Sequence, residues 1–409
     1  MTRLLLSALV VASAAATAAV AAQQPPSQTN LGAAANGNPL RRATATGHVS
    51  NYDEAKVKPY TLPDPLVFAD GTPVRTARDW TARRRAEILE MYEAEIYGRI
   101  PAAAPRVTWV VKEDHGPRKL IVGTIGSGED APRMNVTLDL PQKRTGRVPV
   151  ILLLNFGGGS STAPTPDPPV AAEILARGWG YAKVGYQDIQ PDRLNAFDKG
   201  VIGVTSTAAR GSDAWGSISA WAWGASRIID YLQTDPAVDG TRIALFGHSR
   251  LGKTALWASA LDPRIAAVFS SCSGEMGAAL ARRDWGETVD DMTQNFPYWF
   301  APAFMKWAGR WNEMPVDAHM LIALSAPRPV FVTGGTADQW ADPKGEFLAE
   351  AAAGPVYRLL GRKDLGVATL PALDTPIVDG DLGWHYHTGG HAATRADWEA
   401  FLKFVEKYF

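Results

Sequence analysis

A short apolar run, Arg242-Ile243-Ala244-Leu245-Phe246, leads directly into Gly247-His248-Ser249-Arg250-Leu251-Gly252, and the helix-forming stretch 253–261 follows. Strand, tight turn and helix in this order constrain the chain more than any other feature. A serine at such a turn stands above the end of a strand with its oxygen exposed. The next backbone N–H then points to where negative charge develops during acyl transfer. The match to G-x-S-x-G is imperfect, because Leu251 holds the usual place of the second glycine, which stands at 252. An esterase-type nucleophile is the leading reading of Ser249, and the turn alone leaves it open.

Continuous apolar runs at 148–154, 180–184, 243–246, 266–270 and 329–333 read as strands buried on both faces. Helical patterns such as 217–232 and 253–261 lie between several of them. That alternation predicts an α/β fold, with a mostly parallel central sheet and helices on both faces. Upstream, alternating runs at 107–111, 120–124 and 134–140 predict antiparallel N-terminal strands. Residues 79–97 carry apolar positions at helical spacing and stop at Gly98, so an amphipathic helix is expected, its arginine run on a solvated face. In such a sheet ligands bind at the loops after the strands, and Ser249 sits on one of them.

The 409 residues are 46% hydrophobic, enough for a sizeable core. A formal net charge of −1 offers no global field for nucleic acid or an anionic membrane, and neither is an expected partner. Residues 1–22 read as an export signal: Arg3, an apolar stretch from Leu4 to Val11, then small residues up to Ala22. Residues 23–47, rich in Ala, Asn, Gln, Thr and Pro without periodicity, read as a flexible tether. Residues 48–409 are then one catalytic domain, secreted or periplasmic. Cys272 is the only cysteine, so no intramolecular disulfide forms. The 14 tryptophans mainly fill the core, and any that escape it suit a carbohydrate cleft.

A serine of ordinary pKa needs a histidine base, and that histidine needs a carboxylate to hold its tautomer. Of the histidines after Ser249, His391 lies on the glycine-rich loop Thr388-Gly389-Gly390-His391, just before a C-terminal helix expected at 395–408. It is the candidate base. His385 and His387 read as cleft-lining or structural, and a zinc site of His385, His387 and His391 is the weaker alternative. For the acid, Asp338 follows the strand ending at Thr333 and is preferred. Asp342 precedes Pro343 and reads as a helix cap, and Glu275 is a third candidate.

The elbow through Lys253, the stretch Ser273-Gly274-Glu275-Met276-Gly277-Ala278-Ala279-Leu280, Arg282-Arg283-Asp284-Trp285-Gly286-Glu287-Thr288, Trp340-Ala341-Asp342-Pro343 and the His391 loop together resemble the bacterial glucuronoyl esterases of carbohydrate esterase family 15. The likeness begins near Asn51. The family elbow, G-x-S-R-x-G-K, has its second glycine where this chain has Gly252. The resemblance implies an α/β-hydrolase fold and hydrolysis of the ester between a lignin alcohol and the carboxyl of (4-O-methyl-)glucuronic acid on xylan. A glucuronoxylan or lignin-carbohydrate ester is thus the expected partner. The resemblance makes Ser249 the nucleophile, His391 the base, and Arg250 an oxyanion stabiliser through backbone and guanidinium. It also makes Lys253, Glu287 and Trp340 sugar contacts. Family members place the acid either at Asp338 or as a glutamate where this chain has Cys272. A thiol there does not replace a carboxylate at neutral pH, which favours Asp338. No metal or organic cofactor is implied, and a monomer is expected. A glycine-rich loop after the first long strand, Asn155-Phe156-Gly157-Gly158-Gly159, is a candidate second oxyanion donor. Two other readings stand beside this one. A broader carboxylesterase, such as an acetyl xylan esterase, would not depend on Lys253 or Glu287. A noncatalytic carbohydrate-binding protein would have no use for Ser249, Asp338 and His391 in that order.

Overall fold

Val150, Leu152 and Leu154 face one buried cluster and Ile151 and Leu153 face another, so the strand that carries them has a core on each side. The computed structural model describes residues 28–159, 165–205 and 209–409. The export signal expected at 1–22 lies outside them. β1 (Gln28–Ala33) and β2 (Pro39–Ala43) form an antiparallel hairpin. Nine further strands make one sheet: β3 (Val107–Asp114), β4 (Arg118–Ile125), β5 (Arg133–Asp139), β6 (Val148–Asn155), β7 (Gly180–Gly185), β8 (Val238–His248), β9 (Ile265–Ser271), β10 (Val330–Gly335) and β11 (Leu382–His387). Their order is β11-β10-β9-β8-β6-β7-β5-β4-β3. β6 to β11 pair parallel, whereas β3, β4 and β5 pair antiparallel at the other edge. This is the mostly parallel α/β arrangement expected, in the α/β-hydrolase form.

One face is covered by α1 (Ser217–Thr234), α2 (Arg250–Leu261) and α3 (Pro343–Leu359), which contribute Ile218, Trp221, Leu251, Leu256, Phe347 and Val356 to the first core. The other is covered by the short helix Ala171–Ala176 and by α4 (Arg395–Val405), through Ile174, Trp398, Phe401 and Phe404. Parallel strands carry their C-terminal ends to one edge of the sheet. The loops after β6, β7, β8, β9, β10 and β11 are therefore neighbours.

Two expectations need correction, and one strand had no sequence signal. The tether is one: from Gln28 onward it pairs as the β1–β2 hairpin, and it is fastened where Thr44 N–H donates to Gln294 Oε1 at 2.5 Å. Its polar composition hid the pairing, because an exposed two-stranded ribbon needs no apolar face. The arginine run is another. Arg84 is buried and donates to Pro65 O and Asp64 O, while Arg85 donates to Leu324 O and Ala260 O, so only Arg83 lies on the exposed face. Finally, β11 has no continuous apolar run to announce it, yet Leu382-Gly383-Trp384-His385-Tyr386-His387 pairs with β10 over its whole length.

Candidate active site

Ser249 sits at φ 58° and ψ −127° at the end of β8, a left-handed conformation that side chains rarely adopt. The glycines beside it let the turn close. A Cβ on Gly247 would run into the Leu251 carbonyl, and one on Gly252 would lie 2.9 Å from Ser273 Cβ and 3.0 Å from Ser270 Oγ. Leu251, by contrast, is fully buried in the first core. The displaced glycine is thus a packing requirement: Gly252 is the residue of α2 that meets the end of β9. Ser249 N–H donates to Ser271 O at 2.8 Å and ties the turn to that strand. Arg250 opens α2, so its N–H is one of the four that a helix leaves without an intrahelical acceptor, at the positive end of the helix dipole.

The loops after β10 and β11 bring the other partners. Asp338 is buried, and its Oδ2 accepts from His391 Nδ1 at 2.6 Å. A carboxylate only accepts, so the proton sits on Nδ1 and Nε2 is left to act as base. The loops interlock: Ala337 N–H donates to Gly389 O, Thr336 N–H to His387 O, and Gly389 N–H to Thr336 Oγ1. The His391 ring lies 4.6 Å from that of His248, the residue before Ser249, which brings the candidate base to the elbow. Burial and the nearby His391 push His248 down to about 3, so it is uncharged beside that base at neutral pH.

Asp342 is occupied elsewhere, and Glu275 is held neutral by burial. Asp342 caps α3 by accepting from Gly345 N–H, and its Oδ2 takes Arg283 Nε at 2.8 Å. Glu275 is buried, and desolvation holds its carboxyl well above the usual range, with Asp317 and Glu287 adding to the rise. Burial likewise raises the Cys272 thiol, which donates to Ala392 O at 3.6 Å. Cys272, Asp338 and His391 present one ligand atom each within 4.8 Å of one another. A thiol that burial keeps protonated is a poor metal ligand.

Arg250 extends from the elbow into an aromatic cradle. Its guanidinium is paired with Asp192 and stands 4.7 Å from the Trp299 ring centroid. Asp192 also accepts from Tyr186 OH at 2.6 Å, Trp299 Nε1 at 2.7 Å and Tyr298 OH at 3.0 Å. The ion pair and the position beside Ser249 coexist: one end of the guanidinium is fixed, and the group stays charged next to the elbow. Phe156, from the loop after β6, closes the cradle 5.7 Å from Arg250.

Lys253, one helical turn beyond Ser249, is buried; its Nζ donates to Ser273 O and lies 3.9 Å from Glu287 Oε2. Burial lowers the lysine pKa and raises that of Glu287, while each pulls the other back toward its charged form. Glu287 N–H donates to Trp340 O at 2.8 Å, and the Trp340 indole favours the charged form of the Glu287 carboxyl. The structure therefore gathers Lys253, Glu287 and Trp340 on one side of the elbow, and the Arg250 cradle rests on the loops after β6 and β7.

Comparison with known proteins shows which family the chain resembles. A family model described as glucuronyl esterase, fungi, matches residues 124–361. The carbohydrate esterase MZ0003 of an unknown prokaryotic organism is 38% identical over 398 residues, covering 88% of this chain and 92% of that one. The 4-O-methyl-glucuronoyl methylesterase of Phanerochaete carnosa is 33% identical, covering 74% and 73%. The solved glucuronoyl esterase from Solibacter usitatus superposes with a TM-score of 0.80 at 41% identity, covering 86% and 99%. The chain belongs to the glucuronoyl esterases of carbohydrate esterase family 15. It is a carboxylic ester hydrolase.

Two features of this glucuronoyl esterase escaped the sequence reading. Asp192 is one, although its place on the loop after a parallel strand is where site residues gather. Asp397 is the other. Its Oδ2 accepts from the Thr394 N–H and hydroxyl, and its Oδ1 from Nδ1 of both His385 and His387, at 2.7 and 3.1 Å. His385 and His387 are thus structural, and they turn away from any zinc site shared with His391. His387 Nε2 also faces Gly390 O at 3.1 Å, so both ring nitrogens meet acceptors, which only the imidazolium satisfies.

Burial opposes the His387 charge, but Asp397 outweighs it and the pKa rises; burial also opposes the Asp397 charge, and the two histidines hold that pKa down. The histidine contribution to stability is complete below about 6.5 and fades as pH rises through the folded value; the aspartate contribution is complete above about 3.9 and fades as pH falls. Asp397→Asn is expected to cost about 3 kcal/mol. In denaturant unfolding, the gap between wild type and variant should be widest at about pH 4 to 6.5 and narrow above it. A gap independent of pH would contradict the assignment.

Proposed function

We propose that this chain hydrolyses esters of glucuronic and 4-O-methylglucuronic acid, and so cuts ester links between lignin alcohols and glucuronoxylan. Ser249 attacks the uronoyl carbonyl as His391 Nε2 takes its proton. The oxyanion is met by the Arg250 N–H and guanidinium. His391 then protonates the departing alcohol, and a water activated by the same imidazole releases the uronate. Asp338 fixes the tautomer throughout. Lys253, Glu287 and Trp340 bind the sugar. The observation that carries this reading is the buried Lys253–Glu287 pair beside the elbow: a site for a plain acetyl group has no need of two desolvated charged groups aimed at hydroxyls. Residues 1–22 are an export signal and 48–409 the catalytic domain, acting outside the cytoplasm as a monomer. Among the described residues no helix is long and apolar enough to cross a membrane.

Lys253→Ala and Glu287→Gln test the substrate reading. Each removes a charged hydrogen bond to the sugar, so KM for benzyl glucuronate is expected to rise about 10- to 100-fold. The kcat/KM for benzyl acetate should change by less than about threefold. Equal losses on both esters would favour the broader carboxylesterase.

A further inference from the structure

The β1–β2 hairpin and the chain after it reach the sugar side of the site. The Arg41 guanidinium lies over the Trp340 ring, 4.2 Å from its centroid, and its charge also acts on Glu287. Arg41 is itself fixed: its N–H donates to Ser50 Oγ at 2.9 Å, and Ser50 N–H donates to Arg41 O at 3.0 Å. Beyond Ser50 the chain is stitched to the loop that carries Glu287. Gly286 N–H donates to Asn51 O at 3.0 Å, Asn51 Nδ2 to Asp284 O, and Arg283 Nη2 to Glu54 Oε1 at 2.8 Å. His48 Nε2 meets Asp284 Oδ1 at 2.7 Å. Gly286 has φ 61°, and a Cβ there would sit 2.6 Å from Trp340 O, so this loop and Trp340 are pressed together with no slack.

We propose that Arg41 is a positioning residue for sugar recognition, stacked on Trp340 so that the indole is held against the Glu287 loop, within a strap of residues 41–54 that forms one wall of the sugar site. The inference rests on the substrate reading above. A guanidinium on one face of the indole leaves the edge and the other face for the ligand. It also favours the ionised form of Glu287 by adding positive charge near a buried carboxylate. Arg41 acts on Trp340 and Glu287, both on the sugar side, so its loss is expected to act on binding and not on the chemical step.

The test compares Arg41→Ala and Arg41→Lys with wild type on benzyl glucuronate and benzyl acetate, with melting temperatures recorded alongside. Arg41→Ala should raise KM for the glucuronate about five- to tenfold at nearly constant kcat, and Arg41→Lys should recover part of the loss. Benzyl acetate hydrolysis should hold in both. An unchanged glucuronate KM, or glucuronate and acetate rates falling together, would overturn the inference. If Arg41→Ala does not fold, Arg41→Lys decides by the same KM split. A wild type inactive on the glucuronate would sink the substrate reading and this inference with it, whereas normal wild-type turnover with an unaffected Arg41→Ala would sink this inference alone.

Discussion

Ser249→Ala is expected to lower kcat for benzyl glucuronate by on the order of 10⁵- to 10⁶-fold, because loss of the proposed nucleophile leaves only the oxyanion donors and binding contacts. The fold should survive. Ser249 is held at φ 58° by Gly247 and Gly252 packing and by its own N–H bond to Ser271 O, and none of these uses the hydroxyl. Initial rates of benzyl alcohol release, read beside a thermal melt, check this. A variant that melts like wild type yet keeps more than about a hundredth of its rate would mean that another group attacks the ester.

Asp338→Asn should cost about 10⁴-fold in kcat, with little change in KM. The amide can sit in the same space, but when it offers its N–H₂ to His391 Nδ1 the ring carries its proton on Nε2, and the base is blocked. The 2.6 Å bond between Asp338 and His391 makes this the sharpest test among the three carboxylates considered. Asp342 is committed to Arg283 and the α3 cap, and Glu275 lies buried beside Lys253 and Glu287. Stopped-flow measurement of both ester turnover and any acyl-enzyme burst separates a blocked base from a weakened sugar site. A loss smaller than about tenfold would shift the orienting role to another carboxylate.

The parts of this molecule that follow local rules could be read from the chain. β6 to β10 are apolar runs because both faces of a parallel sheet are buried, and Ser249, Asp338 and His391 fall on the loops that such a sheet brings together. What the sequence hid depends on partners far along the chain. Gly252 looked misplaced until the end of β9 was set against it. Asp192 is an ordinary aspartate until Arg250, Tyr186, Tyr298 and Trp299 converge on it. β11 carries two histidines where an apolar residue would be expected, and only Asp397 on α4 makes their burial affordable. Arg41 lies in a polar stretch with no periodicity, and its meaning comes from Trp340, some 300 positions later.

Wild-type turnover of benzyl glucuronate against benzyl acetate, two esters with the same leaving alcohol, bears most directly on the central claim. A uronoyl esterase with a buried Lys253–Glu287 pair should favour the glucuronate by at least about 100-fold in kcat/KM, since about 3 kcal/mol of hydroxyl recognition is absent from the acetate. Equal rates, or a preference for the acetate, would contradict it and leave a general carboxylesterase built on the same triad.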